Sequence, residues 1–325
     1  MIVDVHAHYV PRALAVRLFE RPQAGVSVVQ EGDDQVRFVI GGEAPTRILP
    51  AKLVDLEQRA AWMAERGIDI QVLTTWADIF GYGLGPEHAT SWSELLNATL
   101  MESITGSPRF AALATLPMQD PEAAAAVMSR ALDDGFHGVT IGTRIAGVEL
   151  DDQGLQPFWE AASSLGAVVF VHPSYGVGDP RTGDYGLVNA VGRGLDTTVT
   201  AARLLCSGVP TRFPGARILL AHGGGTLPYL MGRLKRNHEL DPSLGDPEEG
   251  FSRLLFDSVV FDPVCLGYLC ETAAPGSILL GSDYPFPIGD PHPLRVVEEA
   301  DLPTGTRDSI LGGAAVRTLG LGTSV

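Results

Sequence analysis

His6 and His8 sit two residues apart at the end of the short apolar run Ile2-Val3-Asp4-Val5-His6-Ala7-His8. In a β-strand, residues i and i+2 point to the same face. Both imidazoles therefore project together from one strand end, as the first two ligands of a metal ion must. Three more metal-ligating side chains close later apolar runs: His172 after Ala167-Val168-Val169-Phe170-Val171, His222 after Ile218-Leu219-Leu220-Ala221, and Asp283 after Leu279-Leu280-Gly281-Ser282. One histidine alone is more often a hydrogen-bonded core residue than a ligand. Four histidines and a carboxylate at the ends of four strands form a coherent donor set. Imidazole and carboxylate suit a borderline divalent ion, zinc before manganese, with a position left open for water or substrate. The end of the fourth strand, Thr140-Ile141-Gly142-Thr143, offers no lysine or other ligand to bridge a second ion, so one metal is expected.

The elements that must position these residues alternate along the chain. Strands are predicted at 2–8, 69–75, 110–116, 138–142, 167–172, 217–222, 258–262 and 277–283. Helical spacing of apolar residues follows each of them, as at Leu53, Leu56, Ala60 and Met63. The stretch after the first strand reads as irregular. It contains a hairpin, with Val26–Gln30 and Gln35–Ile40 flanking Gly32-Asp33-Asp34. Near-continuous apolar strands suit a parallel sheet covered on both faces. Eight such units predict a (β/α)8 TIM barrel as one domain over residues 1–325, with a small β-hairpin insertion at about 10–50. A doubly wound open sheet would carry a glycine-rich fingerprint after an early strand, and the first strand has none. In a barrel the catalytic groups collect at the C-terminal strand ends, where all five residues fall.

Composition narrows the partners. The formal net charge of −16 over 325 residues argues against nucleic acid or an anionic membrane surface as partner. A small anionic substrate remains compatible, since a few arginines set the field of a pocket. The three cysteines, Cys206, Cys265 and Cys270, are odd in number and lack C-x-x-C spacing, so no disulfide framework or zinc ribbon is expected. No apolar run approaches the length of a membrane span and no signal peptide is read, which makes the cytoplasm the expected compartment.

The motifs Asp4-Val5-His6-Ala7-His8-Tyr9-Val10-Pro11, Arg109-Phe110-Ala111-Ala112-Leu113-Ala114-Thr115-Leu116-Pro117-Met118-Gln119, Phe170-Val171-His172-Pro173, Ala221-His222-Gly223-Gly224-Gly225 and Gly281-Ser282-Asp283-Tyr284-Pro285-Phe286-Pro287 carry a resemblance. The chain resembles the amidohydrolase superfamily over nearly its whole length. Within it, the chain is similar to the branch of aminocarboxymuconate semialdehyde decarboxylase and related non-oxidative decarboxylases. The resemblance implies His6, His8, His172 and Asp283 as metal ligands. It implies His222 as the catalytic histidine outside the ligand shell, and a homodimer. It also places Arg47 at a position that binds a substrate carboxylate, and Arg233 at one that reaches the neighbouring subunit's site. Phe286, just beyond Asp283, is expected to wall the pocket. Arg59 and Arg236 are expected as surface charges. The branch has tryptophans in the loop after the fifth strand, whereas this chain has none after Trp159. Tyr175, Asn189 and Arg193 are the candidates there for reading a different ligand. Pro50 stands where the branch has a further arginine.

The expected activity is metal-dependent, non-oxidative decarboxylation of a small unsaturated or aromatic acid, a carboxy-lyase reaction. The same scaffold with a metal-activated water would instead make a hydrolase of a lactone, amide or ester, or a hydratase. Fold alone does not choose among them.

Overall fold

The computed structural model describes residues 1–31, 35–174 and 178–322. The turn at Gly32-Asp33-Asp34 and the side chain of Tyr175 lie outside these residues. Among the described residues, thirteen strands run in chain order: β1 (Val3–Tyr9), β2 (Val26–Glu31), β3 (Gln35–Ile40), β4 (Ile70–Thr75), β5 (Phe110–Ala112), β6 (Ala114–Thr115), β7 (Val139–Gly142), β8 (Arg144–Ile145), β9 (Val148–Glu149), β10 (Val168–His172), β11 (Arg217–Leu220), β12 (Leu255–Asp257) and β13 (Ile278–Leu279).

Parallel pairing gives β1-β4-β5 and β6-β7-β10-β11-β12-β13. β5 and β6 are two halves of one strand. The first pairs with β4 and the second with β7, and the Leu113 N–H between them donates to Leu73 O. At the other end, Val5 N donates to Leu280 O, Asp283 N to His6 O and His8 N to Tyr284 O, which joins the segment after β13 to β1. The eight-stranded parallel arrangement is that of a TIM barrel. β2 and β3 form the antiparallel hairpin of the insertion, and β8–β9 form a second, short hairpin after the fourth barrel strand.

The strands are buried on both faces, which is why they read as unbroken apolar runs. In β10, Val169 and Val171 join a cluster with helix residues Val127, Phe158, Ala162 and Leu204. The alternating Val168 and Phe170 join Val3, Val5, Leu219 and Leu279. His172 continues the second face, so period-2 alternation aims it over Phe170. Local chemistry sets the helix starts. Asp55 and Asp120 cap Leu56–Glu65 and Pro121–Asp133 by accepting from the N–H groups of Gln58 and Ala123.

Three expectations require correction. Arg12–Glu20, read as irregular, is a helix that buries Leu14 and Leu18, one turn apart. The seventh strand is Leu255–Asp257 and not 258–262, because the less β-branched Leu255-Phe256 pairs with β11 and β13. Arg59 is fully buried rather than a surface charge. It occupies the inward stripe of its helix with Met63, donates through Nη1 to Gln71 Oε1 at 2.7 Å and through Nη2 to His8 O, and lies 4.7 Å from the Tyr284 ring centre.

Candidate metal centre and active site

The ends of β1, β10 and β11 and the segment after β13 bring His6, His8, His172, His222 and Asp283 together. One ligand atom from each of His6, His172, His222 and Asp283 lies within 4.8 Å of the others. His8 adjoins this group: its Nε2 is 3.2 Å from both His6 Nε2 and Asp283 Oδ1. His6 Nε2 is 3.3 Å from the same oxygen, while Asp283 Oδ2 faces His222 Nε2 at 3.6 Å. The His8 and His172 ring centres are 4.7 Å apart.

The donor set fits a divalent cation on the structure's own terms. Both ring nitrogens of buried His172, and Asp283 Oδ1, lack a hydrogen-bond partner. Asp283 Oδ1 approaches two imidazole nitrogens closely but without hydrogen-bond geometry. Orphaned buried polar atoms cost free energy, and a shared cation at their point of convergence removes that cost.

Electrostatics follow the same layout. Burial disfavours charge on His6, but the negative charge of Asp283 and the hydrogen bond to Asp257 outweigh it and raise His6 to about 10. Burial lowers His8, and burial together with the neighbouring imidazoles drives His172 well below its ordinary range. Asp283 is held far below the usual carboxylate range against its own burial, by the charge of His6 and the close approach of the histidines around it. Neutral His8 and His172 beside an ionised Asp283 are in the form a metal requires, whereas His6 gives up its proton on ligating.

Backbone conformation aims two of these side chains. His222 and Asp283 have φ of 55° and 58°, a left-handed region that costs about 1–3 kcal/mol for a non-glycine residue. Asp257 holds the first of them: its carboxylate accepts from His222 N at 2.9 Å and Gly223 N at 2.8 Å. Gly225 closes the turn because a Cβ there would lie 2.1 Å from Gly194 O.

Sequence reasoning missed Asp257. Its Oδ2 lies 2.6 Å from His6 Nδ1, which fixes the tautomer that leaves Nε2 free to ligate. The misplaced seventh strand hid it; an acidic residue ending the run Leu254-Leu255-Phe256 was the available signal. Asp4 was also missed. It accepts from Gln71 Nε2 at 2.7 Å and from Ser282 N at 3.0 Å, so it ties β1 to the loop that carries Asp283.

Phe286 packs beside the cluster, its ring centre 5.0 Å from that of His8. Arg47 lies over Phe286 and Trp76, at 6.0 and 5.4 Å from their ring centres. Both its Nε and Nη2 donate to Asp78 at 3.0 Å, so its charge is already compensated. Arg193 turns back to the carbonyls of Pro173 and Ser174, directly after His172, and Asn189 accepts from it. Arg233 is not brought to the cluster within its own chain. It is exposed on the helix Leu227–Leu240 and makes no hydrogen bond or ion pair among the described residues. Arg236 pairs at the surface with Glu239, as expected.

The comparisons accord with this geometry. Residues 3–321 match the family described as Amidohydrolase, and the chain belongs to that family. It is 32% identical to 2-amino-3-carboxymuconate-6-semialdehyde decarboxylase of Dictyostelium discoideum, over 98% of this chain and 91% of that protein. Among solved structures, the apo form of Metarhizium anisopliae IDCase is similar, with a TM-score of 0.80 at 25% identity over 99% of this chain and 97% of that one. Dihydroxybenzoic acid decarboxylase from Polaromonas sp., with bound manganese and the inhibitor 2-nitroresorcinol, shares the fold at a TM-score of 0.79 and 22% identity over 98% of this chain and 97% of that one. No helix among the described residues is long and apolar enough to cross a membrane.

Proposed function

We propose that this protein is a metal-dependent, non-oxidative decarboxylase of a small unsaturated or aromatic carboxylic acid. The observation that carries the reading is the convergence of four histidines and Asp283 in a chain 32% identical, over 98% of its length, to a decarboxylase. His6, His8, His172 and Asp283 would hold one divalent ion, zinc by the nitrogen-rich donor set. Manganese is the alternative, as in the Polaromonas structure. When bound, the ion supplies Lewis acidity toward the substrate's oxygen atoms.

The remaining work falls to the chain's own residues. His222 is the proton carrier. Its side chain is 18% exposed, against 6% or less for His6, His8, His172 and Asp283, so it is the imidazole that reaches toward a bound substrate. Its Nε2 faces Asp283 Oδ2, and the pair holds the proton that replaces CO2 at carbon as the C–C bond breaks. Phe286 walls the pocket. Arg47 contributes a guanidinium at the mouth, tempered by Asp78.

The functional unit we propose is a homodimer in which Arg233 crosses to the partner's pocket. Exposed Val188, Val191, Leu195 and Val199 form an apolar stripe on one helical segment, and Tyr229 on the Arg233 helix and Val264 and Tyr268 on the helix Pro263–Thr272 are also exposed. All three cysteines are unpaired, which supports a reducing, cytoplasmic setting. The test is CO2 release from aromatic and unsaturated acids by metal-loaded protein. Hydrolysis of lactones, amides or esters without CO2 would favour the hydrolase.

A further inference from the structure

Arg193 opens the helix Arg193–Cys206, directly after the π-helical turn Val188–Gly192. Its guanidinium folds back over the chain leaving β10. Nη1 donates to Pro173 O at 2.9 Å and Ser174 O at 3.1 Å, and Nε donates to Asn189 Oδ1 at 2.8 Å. Three neutral acceptors therefore pin the group without compensating its charge. Nη2 makes no hydrogen bond, and Arg193 forms no ion pair, among the described residues. Burial weakens its charged form. The charges of Asp78, Asp283 and Asp196 support it and that of Arg47 opposes it. Arg47 commits Nε and Nη2 to Asp78. Arg193 is thus a guanidinium fixed against the two residues that follow His172, with no carboxylate paired to it among the described residues.

We propose that Arg193 is a substrate-binding residue that selects dicarboxylic acids, its free Nη2 holding the carboxylate that stays on the product when the other leaves as CO2. The inference rests on the decarboxylase reading and deepens it. A planar guanidinium fixed by backbone carbonyls presents its remaining donors in one orientation, which suits a carboxylate and loses little freedom on binding.

The test is calorimetric titration of zinc-loaded protein with benzoate and with isophthalate, which differ by one carboxylate. Isophthalate should bind about tenfold or more tightly than benzoate. Arg193→Met should bring that ratio near one while benzoate binding is retained, and Arg193→Lys should keep part of it. A ratio near one in the unaltered protein overturns the proposal, as does undetectable isophthalate binding or a ratio unchanged by Arg193→Met. Equal weakening of both ligands in both variants would make Arg193 a loop anchor only, which also overturns it. Binding is read without turnover, so the two readings fail separately. Discrimination without CO2 release from any acid removes the decarboxylase, and CO2 release without discrimination removes the role of Arg193.

Discussion

His6 Nδ1 and Asp257 Oδ2 lie 2.6 Å apart in the buried base of the site. The same carboxylate accepts the N–H groups of His222 and Gly223. One side chain thus sets the tautomer of a proposed ligand and holds the strained turn of the proposed proton carrier. Asp257→Asn removes the charge and leaves one oxygen for four donors, the His6 ring and the N–H groups of His222, Gly223 and Val259. Metal affinity should fall about 10- to 100-fold, as read by competition with a chromophoric chelator. Unchanged affinity would mean that Asp257 only shapes the turn.

Arg59 ties His8 to the barrel wall. Its Nη2 donates to His8 O and its Nη1 to Gln71 Oε1, and Gln71 in turn donates to Asp4. Burial lowers its guanidinium to about 10, still charged at neutral pH. Arg59→Met fills the volume but orphans two buried acceptors, costing roughly 1–3 kcal/mol each. The thermal midpoint should drop by several degrees at fixed metal concentration. An unshifted midpoint would show that the chain linking Arg59, Gln71 and Asp4 contributes nothing to stability.

His222 separates two roles that the geometry places side by side. As a proton carrier, His222→Ala should retain most of the metal and lose roughly 10²-fold or more in kcat. His8→Ala should lose metal and activity together. Elemental analysis of both variants decides the assignment, since metal loss from the His222 variant would make it a ligand.

In the proposed homodimer, Arg233 acts on the partner's site. Specific activity should fall on dilution below the dimer's dissociation constant. Arg233→Ala should lower kcat/KM by about 10- to 150-fold, the loss of one charge-assisted bond to a carboxylate. Mixing this variant with His8→Ala protein should restore part of the activity, because each mixed dimer holds one intact ligand set and one Arg233 from its neighbour. No recovery despite demonstrated subunit exchange would remove the crossing.

The five clustered residues were legible in the sequence because strand periodicity and barrel topology both send strand ends to one rim. His6 and His8 needed only the spacing of two, and His172, His222 and Asp283 each closed an apolar run. Asp257 was not legible. The β-branched stretch after it looked more like a strand than Leu255-Phe256 does, and starting the strand three residues late left the carboxylate just ahead of it instead of at its end. Arg59 was misread because a guanidinium on an apolar stripe is usually solvated, and Gln71, Tyr284 and His8 O, which the fold brings to it, make its burial tolerable. The compensation of Arg47 by Asp78 likewise depends on two loops that meet only in the fold. The helix Arg12–Glu20 was missed because two buried leucines in nine residues give a weak period, and it forms by packing on Phe38 and Trp92 of the same cluster.

The most direct test of decarboxylation is to supply metal-loaded protein in D2O with a panel of acids and follow CO2 and the organic product together by NMR. The panel takes its members from the relatives' own names: 2-amino-3-carboxymuconate-6-semialdehyde, 6-methylsalicylic acid, gamma-resorcylate and 5-carboxyvanillate. The account predicts release of CO2 from at least one of them, one deuteron at the vacated carbon for each CO2, and loss of both signals on metal removal with recovery on its return. Metal-loaded protein that releases no CO2 from any of these acids, yet cleaves a lactone, amide or ester, would contradict it.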